Sequence, residues 1–392
     1  FPLLNSFHCN PNINLNIELI YIFKSILTRM FFGWFWLISF IIFERKKLKN
    51  THSLIVSNIR QETLNSVVIS FEIPPNLKKQ YAFEAGQYLT LSANIKGEQI
   101  KRSYSICSPP KSQNLQVGVK AIENGVFSNY VNDALRQGDS IDVTIPEGRF
   151  VLENSASANY CAFVAGSGIT PLMSIVSDVL EDNENSIFVL GYGNKTKAST
   201  MFSSAINELK SKYPKRFFCY NIYSQENNSD ANFGRIDSSF INYVLKQHPQ
   251  IDFQKVLLCG PENMIENSKE VLEKSNYPSS KVLYELFYSK SDTSVSESGS
   301  GSAAKIIYDQ ETIELDVPKK MTILDAALQK NIDVPYSCQG GVCSSCIAKI
   351  TVGSATMIQN NILTDSEIKE GLVLTCQAIP ETKEITVDFD DV

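Results

Sequence analysis

Three cysteines stand close together near the C-terminus, within YSCQGGVCSSC at residues 336–346. Cys338, Cys343 and Cys346 have the spacing C-x4-C-x2-C, and Cys376 follows in LVLTCQA. Four thiolates with this spacing are typical ligands of a 2Fe-2S cluster. A zinc site is the alternative, but such zinc sites usually pair two C-x2-C units and only one is present here. The spacing therefore favours a one-electron carrier.

The loop QGGV between the first two of these cysteines consists of small residues, so backbone N–H groups can turn towards the sulfur atoms and tune the potential. The other cysteines are scattered in apolar or small-residue settings, which predicts buried free thiols and a reducing, cytoplasmic compartment. These five are Cys9, Cys107, Cys161, Cys219 and Cys259.

A second group of residues could hold a flat ring and a phosphate. KRSYSICSPP (Lys101–Pro110) contains R-x-Y-S. In a barrel strand, Arg102 can neutralise a phosphate, Tyr104 can lie against a ring, and Ser105 can hydrogen-bond its edge. The tetrapeptide alone is a weak signal, because most such sequences are ordinary strand residues. A second predicted phosphate site in the same barrel would strengthen the assignment to a cofactor.

That second signal is GVFSNYV (Gly125–Val131). Gly125 and Ser128 open the one helix expected in this region, and a helix N-terminus suits a pyrophosphate. We expect Ser128 to cap this helix and Gly138 to end it.

Two further motifs follow predicted strands and lead into helices. In VAGSGITP (Val164–Pro171), Gly166 and Gly168 let the backbone approach a dinucleotide, with Thr170 as the expected cap and Pro171 at the first helical position. LLCGPENM (Leu257–Met264) ends a later strand, and Pro261 begins the next helix. Both motifs fall at the carboxyl edge of the predicted sheet, where ligands bind in such folds.

Composition excludes several classes of function. The formal net charge of −6 argues against a nucleic-acid partner, and three histidines leave little for a histidine-based triad or metal site. The uncharged stretch MFFGWFWLISFIIF (Met30–Phe43) spans fourteen residues, fewer than the roughly 20 needed to cross a bilayer. Two interpretations of residues 1–50 stay open: a membrane anchor, or upstream sequence wrongly joined to the gene.

The elements that must position these motifs fall into three domains. Residues 51–153 show short alternating runs separated by turns, which predicts an antiparallel barrel. Residues 154–288 alternate strands and helices, which predicts a parallel sheet covered on both faces. Residues 289–304 are rich in Ser and Gly and predict a flexible linker. Residues 305–392 form a small α+β unit that contains the cysteines.

Taken in order, RSYSICSPP, GVFSNYVNDAL, AGSGITPLMSI, CGPENM and PYSCQGGVCSSC resemble the ferredoxin–NADP reductase family with a C-terminal ferredoxin. The resemblance covers about Ser53–Val392. It implies a Greek-key FAD barrel, an NAD(P)H-binding α/β domain and a β-grasp 2Fe-2S domain. It also implies that electrons pass from NAD(P)H through FAD and the cluster to an oxygenase. A di-iron epoxygenase acting on an aromatic acyl-CoA is the leading candidate for that acceptor.

The resemblance also implies roles for individual residues. FAD would be held by Arg102, Tyr104, Ser105, Lys120, Gly125 and Ser128. NAD(P)H would be held by Gly166, Gly168, Thr170, Pro171, Cys259, Gly260 and Pro261. Cys259 and Glu285 are the predicted catalytic residues, with Glu285 of YELF closing over the flavin. A surface charge near a strand end is the alternative for Glu285.

Coenzyme choice depends on the end of the second strand, VLGYGNKTK, which carries Lys195 and Lys197 and no carboxylate until Glu208. This leaves room for a 2′-phosphate, with Arg235 as a further partner. Relatives often carry Arg at Lys195 and Ser-Arg where this chain has Ser224-Gln225, and Lys or Gln binds a phosphate less specifically than Arg. We therefore expect use of both coenzymes, with a modest preference for NADPH.

Two rival functions stay open at this stage. A genuine anchor at Met30–Phe43 would favour a reductase that serves a membrane-bound desaturase or hydroxylase. A degenerate flavin site would leave a non-catalytic redox adaptor, although the intact R-x-Y-S and C-G-P motifs speak against it.

Overall fold

The structure is a computed structural model, and it describes residues 51–153, 158–286, 301–330, 332, 334–336 and 338–392. The proposed anchor and most of the predicted linker lie outside these residues. No helix within the described part of the chain is both long and apolar enough to cross a membrane.

The described residues of the first domain form a six-stranded antiparallel sheet that curls into a barrel. Its strands are β1 (Thr51–Thr63), β2 (Ser66–Glu72), β3 (Tyr88–Ile95), β4 (Glu98–Ser105), β5 (Leu115–Lys120) and β6 (Ser140–Thr144). They pair in the order β4-β3-β6-β1-β2-β5. A bridge between Ile106 and Val117 links the two edges. Alternate apolar side chains, including Leu54, Val56 and Leu89, fill the interior.

Helix α1 (Val126–Asp133) crosses the barrel, and its ends differ from the prediction. Gly125 occupies the N-cap, while Ser128 lies within the first turn, where its hydroxyl accepts from the Ile122 N–H and donates to the Gly125 carbonyl. The helix ends five residues before Gly138. Gly138 instead adopts φ +93° and donates its N–H to Val56, so it belongs to the turn that leads into β6.

The second domain is built on a parallel sheet with strand order β10-β9-β8-β7-β11-β12. Its strands are β7 (Tyr160–Ala165), β8 (Phe188–Asn194), β9 (Phe217–Tyr223), β10 (Asn232–Phe233), β11 (Lys255–Gly260) and β12 (Val282–Leu286). Nearly every residue of β7, β8 and β11 is buried, as expected for central strands that helices cover on both sides.

Four helices cover this sheet: α2 (Ile169–Asp182), α3 (Ser203–Lys212), α4 (Ser238–Lys246) and α5 (Glu262–Lys274). Residues of α2 and α3 share one buried cluster with the sheet. Residues of α4 and α5 share the other. The predicted two-faced packing is confirmed, because the two clusters take alternate side chains of the same strands, such as Ala162 and Phe163.

The start of α2 corrects the predicted cap. A 3-10 turn at Gly166–Gly168 carries the chain out of β7, so Gly168 takes the N-cap. Thr170 and Pro171 are consequently the second and third helical residues, and the Thr170 hydroxyl donates back to the Ser167 carbonyl. Pro261 is the N-cap of α5 and directly precedes it.

The third domain carries a five-stranded sheet with strand order β14-β13-β19-β15-β17 and a two-stranded β16-β18 pair. These strands are β13 (Ser302–Tyr308), β14 (Glu311–Val317), β15 (Ile347–Val352), β16 (Ala355–Met357), β17 (Leu372–Leu374), β18 (Ala378–Pro380) and β19 (Glu384–Asp388). Helix α6 (Ile323–Gln329) packs on the sheet, and a short helix α7 (Asp365–Lys369) precedes β17.

The linker prediction is wrong at its C-terminal end. Ser302, Ala303 and Ala304 belong to β13, where they pair with the end of β14. Ala304 is buried beneath the sheet, so the domain begins at least three residues before Lys305. The three-domain fold class is otherwise confirmed: an antiparallel barrel, a parallel α/β domain and an α+β unit.

Candidate functional site

The four cysteines of the third domain converge as two pairs. Cys343, Cys346 and Cys376 are buried, and Cys338 is partly buried. The thiols of Cys338 and Cys343 interact, and so do those of Cys346 and Cys376. The first contact lowers the pKa of Cys338 and raises that of Cys343, and the second lowers the pKa of Cys376 and raises that of Cys346. One thiol of each pair is therefore favoured as the thiolate, which is the form that binds metal.

Backbone N–H groups face these sulfur atoms, as the small residues of the loop predict. The Gly340 N–H donates to Cys338 Sγ at 3.3 Å. The loop takes left-handed backbone conformations at Gln339 and Gly341, with φ of +54° and +71°. Such donors stabilise negative charge on sulfur and tune the potential of a bound cluster.

This donor set fits a 2Fe-2S cluster. Each iron of such a cluster takes two protein ligands in addition to the bridging sulfides, so two cysteine pairs match two irons. Among the described residues, no three His, Cys, Asp or Glu side chains surround a single metal position. The roles of Cys338, Cys343, Cys346 and Cys376 as ligands stay predictions.

The R-x-Y-S motif lies on β4, at the side of the barrel that faces the second domain. Arg102 is exposed and donates to the Lys101 carbonyl. Tyr104 packs against Phe127 of α1 with a centroid distance of 5.9 Å. Ser105 is buried at the end of the strand. The structure thus presents a cationic group, an aromatic face and a hydroxyl along one strand, which is the set of contacts that the sequence predicted for a flavin.

The N-terminus of α1 lies beside this strand and leaves room only for a glycine. A side-chain Cβ at Gly125 would meet Ile122 Cγ1 and Ser128 Oγ at 2.4 Å. Gly125 thus packs closely against these two side chains, and the unpaired backbone N–H groups of the helix N-terminus that it caps suit the pyrophosphate of FAD. Lys120 lies on β5 at the border with the second domain, where burial and then Lys195 lower its pKa.

Two domains meet at the predicted catalytic residues. Ser105 Oγ donates to Glu285 Oε2 at 3.3 Å, across 180 positions of sequence. Glu285 is the pairing partner of Cys259 in the β11–β12 register. Burial raises the pKa of Glu285 to about 8, and the bond from Ser105 opposes that rise. Burial, together with the neighbouring Glu285, raises the pKa of Cys259, so its thiol stays protonated.

The glycine turn after β7, at Gly166–Gly168, packs against the backbone of Cys259. A Cβ at Gly168 would lie 2.3 Å from the Cys259 carbonyl oxygen, so only glycine permits this approach. Gly166 adopts φ +56°, a left-handed conformation that favours glycine. Thr170 is buried against Gly118 of the barrel, where an added Cβ would meet its methyl group at 2.8 Å.

A cleft of about 790 Å³ opens at the carboxyl edge of the parallel sheet. It brings together residues that sequence analysis took from separate motifs, and its volume suits a nucleotide. Its lining includes Lys120, Gly166, Lys195, Gln225, Arg235, Gly260 and Pro261. The cleft lining does not include four further predicted coenzyme residues, which are buried: Gly168, Thr170, Pro171 and Cys259.

The residues expected to choose the coenzyme are neighbours in space. The Gln225 N–H donates to the Lys195 carbonyl at 2.9 Å, which holds the two strand ends together. Sequence analysis missed Glu226, whose carboxylate accepts from the Lys197 N–H at 2.8 Å. Glu226 follows β9, the third strand of this domain. The prediction considered only carboxylates that follow the second strand, β8, and therefore did not include it. The Glu226 side chain is not part of the cleft lining.

Sequence analysis also missed the contacts between the third domain and the other two. The Tyr88 hydroxyl lies 3.1 Å from Ser344 Oγ and 3.0 Å from Ser345 Oγ, between the cysteines of the C-x2-C unit. Arg149 pairs with Glu367 at 2.5 Å. No local pattern marks these residues, because each is an ordinary residue of a strand, a loop or, for Glu367, a short helix until the domains pack.

The comparisons with known proteins agree with this geometry. Residues 53–152 match the oxidoreductase FAD-binding domain, residues 163–270 the oxidoreductase NAD-binding domain, and residues 306–381 the 2Fe-2S iron-sulfur cluster binding domain. The chain is 37% identical to one component of the 1,2-phenylacetyl-CoA epoxidase of Escherichia coli K12, over 86% of this chain and 98% of that protein.

Another relative and a solved structure also match most of the chain. The ferredoxin reductase component of 3-ketosteroid-9-alpha-monooxygenase from Mycobacterium tuberculosis H37Rv is 31% identical, over 82% of this chain and 88% of that protein. Phthalate dioxygenase reductase superposes with a TM-score of 0.56 at 22% identity, over 86% of this chain and 98% of that structure. The chain therefore belongs to the ferredoxin–NADP reductase family with a C-terminal 2Fe-2S ferredoxin domain, and it is a flavin and iron–sulfur oxidoreductase that uses a nicotinamide coenzyme.

Proposed function

We propose that this reductase supplies electrons to the oxygenase component of a ring-1,2-phenylacetyl-CoA epoxidase, in phenylacetate catabolism. The observation that carries the proposal is the 37% identity to one component of such an epoxidase over 98% of that component's length. Relatives named for other oxygenases match 79% to 86% of this chain at lower identity, from 24% to 31%. The acceptor is thus an oxygenase, and the acyl-CoA epoxidase is its most specific candidate.

The nicotinamide coenzyme binds in the cleft at the carboxyl edge of the parallel sheet. Gly166 and Gly168 let backbone N–H groups reach its phosphates, and Pro261 begins the helix on the other side of the cleft. The thiol of Cys259, behind the glycine turn, stays protonated and adds no charge beside the reacting ring. These residues bind and orient the coenzyme without acting as strong acids or bases.

FAD held in this barrel would supply the conversion from two-electron hydride chemistry to one-electron transfer, between the nicotinamide coenzyme and the cluster. Arg102, Tyr104 and Ser105 hold that cofactor along β4, with Gly125 at its pyrophosphate. Glu285 closes the site from the second domain through its bond with Ser105. With a pKa of about 8, the Glu285 carboxyl holds its proton near neutral pH and keeps the junction uncharged.

The choice between NADH and NADPH depends on the charged residues that line the cleft near Lys195. Lys195 and Arg235 offer positive charge to a 2′-phosphate, while Gln225 offers none. Both coenzymes are used, with a modest preference for NADPH. The protein works in the cytoplasm, and its net charge of −6 suits a protein partner better than nucleic acid.

Reconstitution with a purified oxygenase component tests the proposal. The reductase, the epoxidase oxygenase component and phenylacetyl-CoA should consume NADPH with stoichiometric formation of the epoxide. The oxygenase component of 3-ketosteroid-9-alpha-monooxygenase serves as the matched alternative acceptor. Equal turnover with both acceptors, or none with the epoxidase, would contradict the proposal. Recovery of full-length protein with membranes, and turnover only with a membrane-bound desaturase or hydroxylase, would favour that alternative.

A further inference from the structure

One buried tyrosine connects the strand that carries the flavin residues with the loop that carries the cluster cysteines. Tyr88 is 4% exposed and begins β3. Its cross-strand partner is Ser105, the residue whose hydroxyl bonds Glu285. Directly opposed residues point to the same face of a sheet, with Cβ atoms about 5 Å apart. Tyr88 therefore stands beside the predicted edge of the flavin.

The other end of Tyr88 lies in the third domain. Its hydroxyl is 3.1 Å from Ser344 Oγ and 3.0 Å from Ser345 Oγ. Ser344 follows Cys343 directly, and Ser345 directly precedes Cys346. A phenol donates one hydrogen bond and accepts others, so it can bond both serines at once. Tyr88 thus bonds a neighbour of Cys343, from the first cysteine pair, and a neighbour of Cys346, from the second.

The other polar contacts that join the described residues of the third domain to the rest of the chain are of a different kind. Arg149 and Glu367 form a pair whose arginine is half exposed. Gln359 donates to Glu262 at 3.1 Å on the surface, and the Lys101 ammonium lies 5.2 Å from the ring centre of Tyr336. Exposed pairs of this type contribute little to stability and weaken in salt. Val342 of the cysteine loop also belongs to the buried apolar cluster of the second domain. Among the polar contacts, the Tyr88 bonds alone combine burial with direct attachment to this loop.

We propose that Tyr88 is a positioning residue that holds the cluster loop against the flavin-binding strand through its bonds to Ser344 and Ser345. In the transfer that this serves, one electron leaves the reduced flavin and converts one ferric iron of the cluster to ferrous. Tyr88 neither gains nor loses an electron or a proton; it keeps the two sites close. Electron tunnelling slows steeply with distance, so a looser loop slows transfer.

This inference rests on the electron path of the proposed function, but its test needs no oxygenase. Tyr88→Phe keeps the ring and removes the hydroxyl in the FAD- and cluster-loaded chain. Hydrogen exchange of the backbone amides at residues 339–349 should rise roughly two- to tenfold, the equivalent of one lost buried hydrogen bond. Amides of β14 in the same domain should exchange as before.

Tyr81→Phe is the matched control. Tyr81 is also a buried barrel tyrosine, but its hydroxyl donates to the Val143 carbonyl within the first domain. It should leave the exchange of the cysteine loop unchanged. If both variants loosen the loop equally, general weakening of the barrel explains the result and the proposal fails.

Transfer within the chain gives a second readout. After anaerobic reduction by NADPH, cluster reduction should slow in Tyr88→Phe, while ferricyanide reduction at the flavin is retained. A variant with Ser344→Ala and Ser345→Ala should show the same loosening at wild-type iron content, and should do so even where Tyr88→Phe fails to fold. Combining all three changes should slow transfer no further. Wild-type exchange and transfer in Tyr88→Phe, or additive effects of the two sets, would overturn the proposal.

Discussion

Ser105 at the end of a barrel strand donates a hydrogen bond to Glu285 at the end of the parallel sheet, with 3.3 Å between Oγ and Oε2. The bond joins the domain that is matched to FAD with the domain that is matched to NAD. It brings Ser105, predicted to contact the flavin, to the two predicted catalytic residues, since Cys259 is the strand partner of Glu285. The chemistry of the protein depends on this junction.

Glu285→Gln should remove a pH-dependent cost to stability. The pKa of Glu285 is raised to about 8 in the folded chain, above its ordinary value of 4.5. The folded state therefore holds a proton that the unfolded state releases between these pH values, so stability falls as pH rises through that window. Glutamine is neutral throughout and escapes this loss.

Thermal unfolding of the two proteins over pH measures the effect. They should melt alike near about pH 4.5, and the variant should gain stability on the order of a few kcal/mol by about pH 8. Ser105→Ala is the control, because it removes the bond and leaves the titrating group in place. A melting difference that is independent of pH would show that Glu285 is ionised at neutral pH.

Cys343→Ser should separate the cluster from the flavin. Loss of one thiolate should lower the content of iron and acid-labile sulfide and abolish reduction of cytochrome c, a one-electron acceptor. Reduction of ferricyanide at the flavin should largely survive, because the flavin residues lie in another domain. Cys219→Ser, at a partly buried free thiol outside the cluster loop, should change neither activity. Loss of FAD in Cys343→Ser would contradict the claim that the barrel binds flavin independently of the cluster domain.

Gln225→Arg should strengthen the preference for NADPH. The backbone bond between Gln225 and Lys195 places the new guanidinium beside an existing cation, where a 2′-phosphate would receive both. Because Gln225 is exposed, we expect a gain of about two- to tenfold in the NADPH-to-NADH ratio of kcat/KM. Gln247→Arg adds the same charge at the C-terminal end of α4, away from the cleft lining, and should leave the ratio unchanged. A strong wild-type preference for NADH that Gln225→Arg fails to move would refute the coenzyme assignment.

A chain that starts near Lys49 should keep its FAD content and its diaphorase activity. The barrel begins at Thr51, and the match to the FAD-binding domain begins at residue 53. Flavin absorbance per mole of protein and ferricyanide reduction check this directly. Loss of flavin from the shortened chain would mean that the first fifty residues contribute to the barrel.

Much of the fold follows from local patterns in the sequence. The alternation in SVVISFEI predicts β2, and the strand–helix rhythm from YCAFVAG onward predicts the parallel sheet, because burial on one or both faces imposes these periods. Helix ends were harder to predict. Ser128 and Thr170 have the chemistry of caps, yet Gly125 and Gly168 take those positions. Gly168 lies close against the Cys259 backbone, and Gly125 lies close against two side chains of its own loop and helix.

The candidate site likewise contains residues that local sequence patterns predict and contacts that they do not. The cysteine spacing and the R-x-Y-S motif are visible because each lies within a few residues. The bond from Tyr88 to Ser344 spans 256 positions, and Glu226 reaches Lys197 from the neighbouring strand. Such contacts depend on how the domains and strands pack, and a single sequence carries no local signal for them.

The order of electron flow is the central claim, and one anaerobic experiment tests it most directly. The loaded protein is mixed with NADPH, flavin absorbance is followed by stopped flow, and the paramagnetic signal of the reduced cluster is measured in samples frozen at matched times. The flavin should bleach first, and the cluster signal should then rise as electrons leave the flavin. In Cys343→Ser the flavin should bleach at the wild-type rate and no cluster signal should follow. A cluster that becomes reduced before the flavin, or that stays oxidised while the flavin is fully reduced, would contradict the account.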